Sequence, residues 1–193
     1  MRKRLFALCA VAWLIAGTAE AAPILYTTEL LGSNENPPNG SAGTGTALVT
    51  IDTAAHLLTV EVAFQDLVAP TTVAHIHCCV DPPGVVGVAT FPGTFPGFPV
   101  GVFSGAYGPA SWALDDPASY TMTFLDAAGG TAAGAEAALA AGLAAGLAYV
   151  NVHTIEYPAG EIRGFLAVPE PASLLLLGIG VGILAARRRY RRA

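Results

Sequence analysis

The segment 57–64, LLTVEVAF, alternates polar and apolar side chains at a period of two, and runs of similar length and character recur along the chain. They are ILYTTELL at 24–31, TGTALVTI at 44–51, TTVAHIH at 71–77, PVGVFSG at 99–105, SYTMTFL at 119–125, LAYVNVHT at 147–154 and GEIRGFLA at 160–167. A strand directs successive side chains to opposite faces, so each run buries one face and wets the other. Groups such as NENPPNGSAG and VAPT turn the chain between runs. The layout predicts an all-β fold, an antiparallel β-sandwich. AAGAEAALAAGLAAG at 132–146 departs from it: alanine-rich and free of β-branched residues, it predicts one short helix, weakened by Gly134 and Gly142. In VVGVATFPGTFPGFPVG at 85–101, Pro92, Pro96 and Pro99 block central strand pairing. Phe91, Phe95 and Phe98 of that segment are expected to close one end of the sandwich, because a secreted domain seldom leaves three such rings wet.

The two ends of the chain are of another kind. Residues 1–21 join a basic stretch (Arg2, Lys3, Arg4) to an apolar run and an Ala19-Glu20-Ala21 pattern, which predicts a signal peptide cleaved after Ala21. Residues 168–193 hold Pro169-Glu170-Pro171, then an uncharged apolar run over 172–186, then Arg187, Arg188, Arg189, Arg191 and Arg192. The run predicts a C-terminal apolar transmembrane helix with its arginines left in the cytoplasm. In order and character this tail resembles the PEP-CTERM sorting signal of Gram-negative bacteria. The resemblance implies an exosortase-type enzyme as partner, tethering of the precursor to the inner membrane, removal of the tail, and export to the cell surface or an exopolysaccharide matrix. Residues 22–167 remain as a single domain, roughly 145 residues and long enough for a full core.

Charge separates the middle from the ends. Twelve of the fourteen acidic residues lie between Ala22 and Val168, against Arg163 alone of the nine basic ones, so this segment carries a net charge near −11. Such a domain repels nucleic acid and anionic lipid, which excludes both as partners of the folded part. No EF-hand loop, P-loop, CxxC, zinc-protease helix or Ser-His-Asp order is present, and no catalytic residue is assigned.

The chemistry that remains is in TVAHIHCCV at 72–80 and in YVNVHT at 149–154. His75 and His77 share a strand face, and His153 stands on a second strand with Asn151 beside it. Three imidazoles on two strands suffice for a copper or zinc ion with an open position. The bland alternative has the same rings satisfied by neighbours such as Thr72, Thr154, Glu156 or Glu161. His56 belongs to a solvated turn. Cys9 leaves with the signal, so Cys78 and Cys79 face an oxidising compartment as a vicinal disulfide, as free thiols, as partners of another chain, or as soft copper ligands. Glu161 and Arg163 share a face and are expected to pair.

NENPPNGSAGTGTALVTID, LTVEVAFQDLVAPTTVAHIH and AYVNVHTIEYPAGEIRGFL together resemble the CHRD domain, over nearly all of residues 25–166. That resemblance implies an Ig-like, all-β fold and an extracellular setting without general enzymatic activity. The two histidine strands are also similar to the copper side of Cu/Zn superoxide dismutase, a Greek-key sandwich, which would make His75, His77 and His153 copper ligands. No bridging histidine or zinc loop accompanies them, and a single arginine in an acidic domain steers superoxide poorly, so dismutation is not expected. The leading expectation is therefore an exported binding or structural module, with exopolysaccharide or matrix components as partners. The alternative is a copper-binding redox protein.

Overall fold

The computed structural model describes residues 22–169; the expected signal peptide, Glu170, Pro171, the expected apolar helix and the arginine cluster lie outside them. The strands are β1 (Ile24–Leu31), β2 (Thr44–Asp52), β3 (Leu57–Gln65), β4 (Thr71–His77), β5 (Gly105–Ala113), β6 (Tyr149–Thr154) and β7 (Ile162–Phe165). Two helices, α1 (Met122–Ala127) and α2 (Ala132–Ala144), lie between β5 and β6. Every strand pair is antiparallel, and the order β4-β6-β7-β1-β2-β3-β5 curls into a half-barrel, consistent with the all-β sandwich expected. Among the described residues no helix is long and apolar enough to cross a membrane.

The period-two pattern places the core. Leu58, Val60, Val62 and Phe64 of β3 face inward beside Ala47, Val49 and Ile51 of β2 and Tyr26 and Leu30 of β1. Full burial of one large aliphatic side chain is worth about 1.5–3 kcal/mol, so these rows supply much of the folding drive. From the other end of the sheet, Ala74, Ile76, Val150, Val152 and Ile162 reach the same core.

Phe91, Phe95 and Phe98 are buried, as expected of rings that close the sandwich. Phe95 stacks on Tyr107 and Trp112 of β5. The same loop bonds to β4, with Ala89 N–H donating to the Ile76 carbonyl and Phe95 N–H to that of Ala74.

Two expected strands are absent. Residues 99–104 stay irregular and the strand begins at Gly105, running through Gly108-Pro109. Within 119–125 the chain turns helical because Thr121 caps α1, its Oγ1 accepting from Phe124 N–H. The expected helix forms as α2, capped by Thr131. Gly142 is more than a weak point there: a Cβ would collide with the sulfurs of both Cys78 and Cys79, so glycine lets the helix reach them. His56 sits in the β2–β3 turn, solvated as expected, yet its Nδ1 is 2.8 Å from Glu136 of α2.

Candidate metal centre

β6 is buried along its whole length, on both faces. Its inner face, Val150, Val152 and Thr154, belongs to the core. Its outer face presents Tyr149, Asn151 and His153, with His77 opposite Tyr149 and His75 opposite Asn151 on β4. On the other side, Phe165 and Arg163 of β7 stand opposite Tyr149 and Asn151. Opposed residues in a ladder hold their Cβ atoms about 4.5–5.5 Å apart, so this polar plate is continuous across three strands. Carbonyls from four loops lie against it, those of Asn34, of Pro83, Gly84 and Val86, of Gly93, and of Pro158 and Ala159.

The structure brings His75, His77 and His153 together, with ligand nitrogens all within 4.8 Å of one another. The imidazole centroids of His75 lie 4.7 Å from those of both other histidines. None of the rings bonds to the side-chain partners Thr72, Thr154, Glu156 or Glu161. Each Nδ1 instead faces a backbone carbonyl: Gly93 at 3.3 Å from His75, Val86 at 2.7 Å from His77 and Pro158 at 2.9 Å from His153. A carbonyl only accepts, so every Nδ1 carries the hydrogen and every Nε2 is left as a bare lone pair. All three Nε2 atoms are buried and without a hydrogen-bond partner. Burial, reinforced by the neighbouring imidazoles, pushes His75 down to about 3 against the pull of the Gly93 carbonyl. His77 falls to about 4 through burial, and His153 is lowered for the same reason. The rings are neutral at pH 7, the form that binds a metal.

The donor set also fits an ion in size. Tetrahedral zinc with bonds of about 2.0–2.1 Å holds its nitrogens roughly 3.4 Å apart. The ligand nitrogens stand up to 4.8 Å apart, so holding such an ion draws the widest pair together by about 1.4 Å.

Arg163 is the buried cation of the plate, and it does not pair with Glu161. Its guanidinium donates to the carbonyls of Asn34, Pro83 (2.8 Å) and Gly84 (3.1 Å), and it lies over the Tyr149 ring at 4.9 Å. Tyr149 in turn stacks flat on His77, with centroids 4.5 Å apart. Glu161 is occupied elsewhere, accepting from the Ser41 hydroxyl (2.6 Å), Val68 N–H (2.7 Å) and the Thr154 hydroxyl (2.7 Å). The carboxylate nearest Arg163 is Glu35, at 3.7 Å, from a loop that sequence reasoning passed over. A lone arginine in an otherwise uncharged strand was the available signal, since a buried charge needs an opposite one.

Cys78 and Cys79 are joined to each other immediately after β4. Cys78 turns into the core and Cys79 outward, so neither sulfur is among the atoms converging on the histidines. Pro169, the first residue of the sorting tripeptide, is exposed at the end of the described chain.

A CHRD domain model matches residues 26–166, and a PEP-CTERM protein-sorting motif model matches residues 167–192. No curated protein and no solved structure matches the chain.

Proposed function

From a chain that belongs to the CHRD domain family and carries a PEP-CTERM sorting signal for exosortase-type machinery, we propose a metal-holding surface protein. His75, His77 and His153 bind one copper or zinc ion, and the mature domain acts at the surface or in the extracellular matrix of a Gram-negative cell. One observation carries this reading: three buried Nε2 lone pairs without a partner belong to one cluster whose ligand nitrogens lie within 4.8 Å of one another, and each ring is fixed by an Nδ1–H bond to the backbone. A water molecule has two hydrogens to offer and leaves one of the three acceptors orphaned. A cation satisfies all three. A hydrogen bond from the far ring nitrogen to a carbonyl is the usual means of orienting an imidazole toward a metal. When bound, the ion supplies an open coordination position; the chain supplies a neutral donor set and an acidic exterior that concentrates cations.

The test is elemental analysis of the exported protein and of His75→Ala, with the mature C-terminus of the same sample read by mass spectrometry. The expected result is one copper or zinc per wild-type chain, substoichiometric metal in the variant, and a C-terminus lacking the arginines. Metal-free wild type after incubation with either ion refutes the metal reading. Retained arginines refute tail removal.

A further inference from the structure

Six buried side-chain atoms among the described residues lack a hydrogen-bond partner, and five of them lie on the outer plate. Three are the Nε2 atoms; the other two are Glu35 Oε1 and Asn151 Oδ1. Both oxygens press on the same side of Gly160, where a Cβ would stand 2.5 Å from Asn151 Oδ1 and 2.7 Å from Glu35 Oε1. The two are therefore no more than 5.2 Å apart. The amide directs its Nδ2 to the Ala159 carbonyl at 3.4 Å, which leaves Oδ1 as the atom without a donor. Arg163 does not supply one: three of its N–H groups go to the carbonyls of Asn34, Pro83 and Gly84, and its approach to Glu35 is to the other oxygen, Oε2, at 3.7 Å. Two buried acceptors in one pocket, both without a donor, are satisfied together when one of them carries a hydrogen toward the other.

We propose that Glu35 is the proton-exchanging group of the histidine centre: its carboxyl O–H is shared with Asn151 Oδ1 when the histidines hold no ion, and the proton leaves when they do. The inference rests on the metal reading above. Asn151 stands opposite His75 and two residues before His153 on one face, so the carboxyl and the ion share a wall of the plate. A dication arriving there favours the ionised carboxylate. The O–H bond of Glu35 breaks, its electron pair stays on the carboxylate, and the proton passes to solvent. The route is a groove of about 420 Å3 lined by Glu35 with Ser33, Asn34, Asn36 and Pro83. The ionisable groups facing Glu35 are Arg163 from β7 and Tyr149 from β6, and the segment 82–84 above Arg163 adds only prolines and a glycine. Burial outweighs the arginine and raises the Glu35 carboxyl to about 7, so it holds a proton under mildly acidic conditions.

The probe is zinc, added to the exported protein made metal-free and to Glu35→Gln, whose amide N–H can still donate to Asn151. Calorimetry in buffers of different ionisation enthalpy counts the protons released. Near pH 6 the wild type is expected to release about one proton more per zinc than the variant, and near pH 9 the difference disappears. Any proton lost from metal-bound water cancels in the comparison. Infrared spectra of the metal-free wild type should show a protonated-carboxyl band at the lower pH that zinc, high pH and Glu35→Gln each remove. Equal proton release by the two proteins, with zinc bound by both, overturns the role of Glu35 and leaves the metal reading standing. Zinc uptake by neither overturns both.

Discussion

β3 and β6 belong to one sheet and obey the same alternation, yet they spend their outer faces differently. On β3 the outer face is open: Leu57, Glu61, Ala63 and Gln65 are exposed and Thr59 is half-buried, while their neighbours are buried. On β6 nothing is wet, because loops from four places in the chain lie over it. An outward polar residue on β3 keeps its water and costs little. An outward polar residue on β6 loses its water, and whatever the loops fail to supply must come from another group or from an ion. Buried orphan atoms therefore gather on one half of the sheet, and the fold concentrates its unmet chemistry where the sequence placed its histidines.

Three measurements bear on that contrast. Arg163→Leu should do the most damage, since it strips donors from three covered carbonyls. A loss of about 3–5 kcal/mol is expected. That corresponds to a melting midpoint lower by on the order of 10 °C. Arg163→Lys should restore little, because an ammonium cannot span the same carbonyls. Next in size is the ion itself: zinc at about a hundredfold excess over its Kd should stabilise the protein by about 2.7 kcal/mol in denaturant titration, and His153→Ala should abolish the effect. Equal stabilisation of both proteins would place the ion elsewhere. The smallest effect belongs to the open half. Thr59 and Ser111 share an exposed hydrogen bond of 2.8 Å, and Thr59→Ala should shift stability by no more than about 0.5 kcal/mol. A loss as large as that of Arg163→Leu would break the distinction between the two faces.

The same contrast marks where the sequence was legible. β1 to β4 announce themselves because alternation and turn residues agree there, and the first and last residues of β1 and β4 coincide with the runs that predict them. β5 is hidden because GAYGPASWA carries a glycine and a proline inside a strand, which an edge position tolerates and a pattern does not reveal. SYTMTFL has β-forming residues, but the hydroxyl of Thr121 satisfies a backbone N–H and tips the chain into α1. In the site, strand periodicity alone aligns His75 with His77 and puts His153 beside Asn151. It cannot show that carbonyls rather than side chains hold the Nδ1 atoms, since those come from Val86, Gly93 and Pro158 in irregular loops. Nor can it join Arg163 to Asn34 and Glu35, whose positions are set by tertiary folding across 129 residues.

The phenylalanine loop has a further consequence at the rim of the sheet. A terminal strand with free N–H and C=O groups is a template on which a second chain can add its own strand. β4 is such a strand, and the loop occupies its border with bonds from Ala89, Phe95 and Gly101, while the hydroxyls of Thr90 and Thr94 take the remaining N–H groups of Ile76 and Ala74. At the opposite border, β5 presents Pro109, which has no N–H to offer. The β4 border is therefore closed to strand addition, and at β5 the proline interrupts the template at one position.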